Sequence, residues 1–494
     1  RKETGLMTKM DLVVRNAKCA TAADTFDCDI GVRHGVIYQL GGAMDGAAEI
    51  DAAGRWVLPG GIDSHVHFDQ RKTHGGLTAD NFFTGTVSAA CGGNTTVIPF
   101  AAQHRGQSVK WAIDEYHARA GGNAVIDYNF HLILSDPQHP VFAEELGGIC
   151  SQGIKSLKVF TTYPAIVLDN SALLNVFELA KKNGCTVMVH CENSEIISFV
   201  TERILAQGST APRYHLASRP AIAESEAVMR ICCIAELFNV PTMIVHVSSG
   251  RSLKVVEMAR RNKATIFAET CTQYLTLPQS LLAKPGLEGA KAICSPPLRS
   301  DAESAELWAA IGNGAINVVS SDHSPYRFDE TGKFAHGRDV PFTRISNGVP
   351  GVEIRLPLFF TRAVQGGRIS INRLVELTAT NAAKIYGIYP RKGTIAVGSD
   401  ADLCIWDDDY EWTITNDRFH HNVDYTPYEG IEVTAWPAVT ICRGNVVARY
   451  HDFTGQRGYG QFIAASETLP HHGSTRTQDE LRELGVDLME NRQQ

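Results

Sequence analysis

Between residues 57 and 322, short apolar runs rich in β-branched residues alternate eight times with helical stretches, and this alternation constrains the fold more than any other feature. The runs lie at 57–67, 95–100, 127–134, 154–160, 186–190, 242–247, 265–269 and 316–322. Parallel strands need long crossovers, usually helical, so this rhythm predicts β/α units. Helix punctuation agrees: Asn170-Ser171 precede the stretch 172–182, Gly184 stops it, and Pro241 follows 224–238. Eight units predict an α/β protein with a (β/α)8 TIM-like barrel over residues 58–392, its chemistry at the C-terminal strand ends. The rival, a doubly wound open sheet, would want a glycine-rich turn into the first helix, and Gly60-Gly61 does not provide one.

The two chain ends have another texture. Residues 8–57 carry short β-like runs with a turn at His34-Gly35, and residues 393–450 repeat the pattern. Neither piece is large enough to be comfortable alone, so together they are expected to form one small β-sandwich flanking the barrel. The polar tail, 451–494, is expected to hold a helix near 478–484 and to contact a neighbouring subunit. Residues 1–6, ahead of Met7, are given no structural role, and no secretory signal is read.

Composition narrows the function. A hydrophobic fraction of 44% with 20% charged residues suits a soluble globular chain of 494 residues. A net charge of −8 and a pI near 6.1 leave no broad footprint for nucleic acid or an anionic membrane. No apolar stretch approaches the roughly 20 residues of a membrane span. The twelve cysteines, among them Cys91, Cys150, Cys185, Cys232, Cys233 and Cys404, form no CxxC pair, which reads as reduced thiols in the cytoplasm.

His65 and His67 end the first run, and residues two apart on a strand face the same way, so both imidazoles can reach one ion. A lone His-x-His is more often two ordinary polar residues. Here Lys158, His190, His246 and Asp322 also sit within or at the ends of later runs, which would gather them at one barrel rim. Imidazole and carboxylate suit zinc or a similar divalent cation. A protonated lysine cannot ligate. Lys158 is read either as a carbamate formed with carbon dioxide, able to bridge two cations, or as half of a buried salt bridge.

Eight stretches carry a family resemblance: Gly60-Gly-Ile-Asp-Ser-His-Val-His67, Ser156-Leu-Lys-Val-Phe-Thr-Thr-Tyr163, Val189-His-Cys-Glu-Asn193, Val245-His-Val-Ser-Ser249, Glu269-Thr-Cys-Thr-Gln-Tyr-Leu275, Cys294-Ser-Pro-Pro-Leu-Arg299, Ser321-Asp-His323 and Ser346-Asn-Gly-Val-Pro-Gly-Val-Glu353. In order, they resemble the dihydropyrimidinase/hydantoinase branch of the amidohydrolase superfamily. The resemblance implies one metal on His65, His67, Asp322 and carboxylated Lys158, and a second on Lys158, His190 and His246, with hydroxide between them. It implies Tyr163 as oxyanion donor, Ser295 and Asn347 as readers of the ring amide, and Asp322 as the proton carrier. The implied reaction opens hydantoin- or dihydropyrimidine-like rings to N-carbamoyl amino acids, in a homotetramer or dimer.

One loop departs from the family. Its first loop is usually apolar, whereas this chain has Asp69-Gln-Arg-Lys-Thr-His-Gly-Gly76. Arg71 and Lys72 would suit a carboxylate-bearing ring, or else are solvated loop charges. Pro164 also replaces a common cation. Allantoinase, dihydroorotase-like and cyclic imidase activities are therefore the alternatives, although the arginine position of dihydroorotases holds Asp69 here. A non-enzymatic scaffold is the remote reading, since such relatives lack metal ligands that this chain keeps. His420, His421, His471 and His472 read as surface or interface residues.

Overall fold

In a computed structural model, residues 9–71, 77–467, 469 and 473–488 are described. Eight strand positions follow one another in sequence around a parallel sheet: Gly61–Val66, Asn94–Ala102, the pair Asp127–Tyr128 and His131–Ile133, Ser156–Phe160, Thr186–His190, Thr242–Ile244, Ile266–Cys271 and Val318–Ser320. A parallel bridge from Val66 to His323 joins the last position back to the first, and the His67 N–H donates to the His323 carbonyl at 2.8 Å. Every residue of Gly61–Val66, Asn94–Ala102, Ser156–Phe160 and Thr186–His190 is buried. Strands covered on both faces read as unbroken apolar runs, which is why the sequence shows them.

Two expected strands are broken. The run 57–67 divides at Pro59-Gly60: Trp56–Pro59 pairs antiparallel with Leu403–Asp407, and only Gly61–Val66 enters the barrel. At the crossing a Cβ on Gly60 would lie 2.2 Å from Thr95 Oγ1, so the two chains approach as only glycine allows. The run 127–134 is interrupted at Asn129, whose amide donates to the carbonyls of Gly153 (3.0 Å) and Ile463 (2.7 Å).

Helices pack outside the ring. Asn170–Asn183 is capped by Asp169, which accepts from the Ala172 N–H at 2.8 Å, and it stops at Gly184 with φ 62°. Ala221–Phe238 ends at Asn239, also left-handed. Among the described residues no helix is long and apolar enough to cross a membrane.

Both chain ends contribute to one nine-stranded sheet. Leu12, Val14, Ile30 and Val57 from the first end share a core with Leu403, Ile405 and Ile441 from the second. His34 and Gly35, at φ 52° and 77°, make the tight turn between Thr25–Arg33 and Val36–Leu40. Sheet and barrel meet at a buried ammonium: Lys392 Nζ lies 2.6 Å from Asp127, 3.0 Å from Asp400 and 2.7 Å from Asp402. The tail helix is Arg476–Glu483, with Thr475 and Gln478 forming a capping box. It rests on its own chain, where the Thr475 hydroxyl donates to the Glu236 carbonyl at 2.8 Å.

Candidate metal centre

Asp322 Oδ1 lies 3.2 Å from Nε2 of both His65 and His67, at the closure of the barrel. The opposite ring nitrogens are held from behind: His65 Nδ1 by Glu269 Oε1 at 2.7 Å, and His67 Nδ1 by Gln70 Oε1 at 2.5 Å. An acceptor on Nδ1 keeps the proton there and turns the Nε2 lone pair inward, as metal-binding histidines require. His246 packs 5.5 Å from the His65 ring and 4.5 Å from the His190 ring, which joins the four imidazoles into one cluster. His190 Nε2 is bound to Glu192 at 2.7 Å, while the buried Nδ1 of His246 has no partner among the described residues. The Lys158 ammonium is buried and lies 4.9 and 5.1 Å from the ring centroids of Phe100 and Phe160.

Burial pushes Lys158 down to about 8, although Asp322 and Glu269 oppose it. His190 and His246 fall well below the ordinary histidine value through burial, reinforced by Lys158, so both are neutral. His67 is also lowered by burial. For His65, Glu269 and Asp322 outweigh burial and raise it. Burial works against an ionised Asp322, yet His65 and His67 hold its carboxyl well below the usual range. The neutral imidazoles of His67, His190 and His246, an ionised carboxylate, and His65, which a cation would have to relieve of its proton, form a donor set that fits divalent cations of the zinc type. His246, Asp322 and Tyr163 have positive φ values of 39°, 48° and 70°, a backbone strain that concentrates at working sites.

Tyr163 lies beyond Ser156–Phe160 with its ring 5.2 Å from that of His190. Burial raises its phenol, and Arg219, with Ser295 and Asn347 beside the hydroxyl, opposes the rise. Ser295 Oγ lies 3.3 Å from His215 Nε2, and the buried Oδ1 of Asn347 has no partner among the described residues. Arg71 is not brought into this group: it is exposed, bridged through its backbone to Leu77. Lys72 lies outside the described residues. Asp69 accepts from the Phe82 N–H at 3.0 Å, so it seats the helix Phe82–Cys91 instead of reading a ligand.

The model of the amidohydrolase family matches residues 56–447. The chain belongs to the amidohydrolase family. This amidohydrolase is 41% identical over 460 residues to the D-hydantoinase of Geobacillus stearothermophilus, covering 92% of this chain and 96% of the relative. It is 42% identical over 457 residues to the D-hydantoinase of Ralstonia pickettii, covering 92% and 98%. The crystal structure of dihydropyrimidinase from Brevibacillus agri NCHU1002 matches with a TM-score of 0.89 at 40% identity, over 93% of this chain and 99% of that one. The protein is therefore a cyclic amidohydrolase of the dihydropyrimidinase and hydantoinase branch.

Three supporting side chains of this amidohydrolase escape a reading of the sequence alone: Glu269, Glu192 and Gln70. Glu192 stands two residues after His190, the same spacing as His65 and His67, and Glu269 lies near the end of an apolar run, so both carried a legible signal. His420 and His421, expected at the surface or an interface, are half-buried; His420 Nδ1 lies 2.9 Å from Glu353, and His421 Nε2 lies 3.0 Å from Asn416. Two further groups of metal-type side chains occur among the described residues. In one, Glu353 is satisfied by Ser88 at 2.8 Å and by the backbone and ring N–H groups of His420, both at 2.9 Å. In the other, Lys392 and Arg443 already neutralise Asp127 and Asp402. Among the described residues no lysine or arginine is ion-paired with Asp322 in the group His65, His67 and Asp322; the nearby cation is the Lys158 ammonium.

Proposed function

We propose that this amidohydrolase opens hydantoin- or dihydropyrimidine-like rings, with D-configured 5-substituted hydantoins preferred, and releases N-carbamoyl amino acids. The observation that carries the reading is the single Asp322 oxygen placed 3.2 Å from two imidazoles at the barrel rim, with Lys158, His190 and His246 beside it. Two zinc-type cations would be held by His65, His67, Asp322 and a carboxylated Lys158, and by Lys158, His190 and His246. When bound, such a pair supplies an acidified water at neutral pH and polarises the amide carbonyl.

The remaining steps belong to the chain. Asp322, ionised by its histidine neighbours, takes the proton from the attacking water and returns it to the departing ring nitrogen. The Tyr163 hydroxyl, with Ser295 and Asn347 beside it, donates to the developing oxyanion, where one donor is worth about 3–4 kcal/mol. Ser295 and the unpartnered Asn347 oxygen then receive the ring amide.

Residues 8–57 with 393–450 form the flanking domain of this proposal, and 58–392 the catalytic one. The working form is a cytoplasmic homotetramer or dimer. Twelve free cysteines fit a reducing compartment. The helix Ser194–Ala206 buries none of its residues and leaves Phe199 57% exposed, as a subunit contact would.

Metal content and ring opening measured together test the proposal, with dihydrouracil, 5-substituted hydantoins, allantoin, dihydroorotate and cyclic imides offered to the wild type and to Lys158→Ala. About two metals per chain, as in other two-metal hydrolases, fastest turnover of a D-hydantoin, and loss of both in the variant are expected. Preference for dihydroorotate would move the reading to a carboxylate-bearing ring, with exposed Arg71 as its reader. A metal-loaded enzyme inert on every ring would overturn it.

A further inference from the structure

Arg219 is a buried guanidinium with no part in the ring-opening steps above. One of its nitrogens donates to Glu192 Oε2, the same oxygen that accepts from His190 Nε2 at 2.7 Å. Its guanidinium carbon lies over the Tyr163 ring, 5.1 Å from the centroid. One cation therefore touches both the carboxylate behind a metal-type imidazole and the face of the proposed oxyanion donor.

The surroundings make this contact rigid. The Arg219 carbonyl accepts from Arg299 Nη1 at 2.6 Å, and Arg299 is itself tied to Glu224 at 3.3 Å. The loop that carries Tyr163 is stitched to the Glu192 segment at Thr161, whose hydroxyl donates to the Glu192 carbonyl and accepts from the Glu192 N–H, both at 2.9 Å. Tyr163 needs such help, because its φ of 70° is a conformation that non-glycine residues keep only when neighbours enforce it. Ser295 and Asn347 stand beside the hydroxyl end, where the substrate carbonyl would arrive. The contacts on the ring itself are the guanidinium, 5.1 Å from its centroid, and the rings of His190 and Phe160, at 5.2 and 6.1 Å.

We propose that Arg219 is a positioning residue for Tyr163: it holds the ring in place as the hydroxyl donates to the oxyanion, without touching substrate itself. The inference rests on Tyr163 being the oxyanion donor. Arginine suits the task because a planar guanidinium stacks on an aromatic face while its edge binds a carboxylate; lysine keeps the charge but loses the plane.

A double-mutant cycle on the metal-loaded enzyme tests it, using Arg219→Lys, Tyr163→Phe and the pair, with kcat, KM, metal content and melting temperature recorded for each. Arg219→Lys is expected to lower kcat about tenfold with KM and metal content held, and to change kcat less than about twofold once Tyr163 is Phe. The same loss in both backgrounds would overturn the positioning role, and so would loss of metal, which would assign Arg219 to His190 through Glu192. A wild type that turns over while Tyr163→Phe costs nothing would instead remove Tyr163 as donor, and the proposal with it. Should Arg219→Lys fail to fold, Arg219→Met with Glu192→Gln removes both buried charges, leaves an amide acceptor for His190, and runs through the same cycle.

Discussion

Glu269 sits behind two proposed ligands at once, accepting from His65 Nδ1 at 2.7 Å and from the His246 backbone N–H at 3.3 Å. Glu269→Gln keeps an oxygen but loses the charge that favours the inward-facing His65 tautomer. Metal affinity is expected to fall about 10–100-fold, read by competition with a chelator, while the fold persists. Lys158 gives a pH test on the metal-free protein. Its folded value, about 8, lies below the ordinary 10.5, so between those limits the unfolded chain binds more protons than the native one. The Lys158 contribution to stability should then rise with pH from about 8 to 10.5, by about 3 kcal/mol, with its full penalty kept below 8, while buried thiols and phenols raised in the fold pull the opposite way. Denaturant titrations of wild type and Lys158→Met at stepped pH check this, with the stability gap between the two expected to change by that amount across the window. The four imidazoles, Lys158 and Asp322 were legible because each interrupts or ends an apolar run and matches a family motif. Arg219 was not, since it lies in a connection, between Tyr214–Ser218 and Ala221–Phe238, where a charge is unremarkable.

At the scale of elements, the helix Phe82–Cys91 is locked to the loop that follows His67. A Cβ on Gly85 would lie 2.3 Å from Phe68 Cε1, and Phe68 adjoins His67. Two effects compete in Gly85→Ala. Helix propensity favours alanine by about 1 kcal/mol, whereas overpacking a filled core costs about 1–3 kcal/mol. Phe68 is fully buried and cannot swing away, so the clash wins. The variant should melt lower and bind metal more weakly, as calorimetry and metal titration would show; an unchanged metal affinity would mean the His67 loop is independent of this helix. Strand positions were legible wherever both faces are buried. The break at Pro59-Gly60 was not, because the local pattern is apolar on both sides and the choice between two sheets is made by Leu403–Asp407, more than 340 residues away. Asn129 escaped for the same kind of reason: its partners, Gly153 and Ile463, are distant in sequence.

For the whole molecule, the seam at Lys392 decides whether the flanking sheet stays on the barrel. Asp127 comes from a barrel strand, Asp400 and Asp402 from the approach to Leu403–Asp407, and the ammonium lies within 3.0 Å of all three. Those carboxylates raise Lys392 above its ordinary value despite burial, so its stabilising charge is fully present at neutral pH. Arg443, 3.0 Å from Asp127, neutralises only one of them. Lys392→Met fills the space but leaves buried carboxylates without their cation, a change that typically costs about 3–5 kcal/mol. Burial already raises Asp402 even with Lys392 in place. In the variant Asp402 would titrate higher still, so stability should recover more steeply than in the wild type as pH falls from 7 towards 5. Denaturant midpoints across that range measure the difference. Barrel and sheet signals that melt separately in the variant, and together in the wild type, would identify the buried ammonium as the clamp between them.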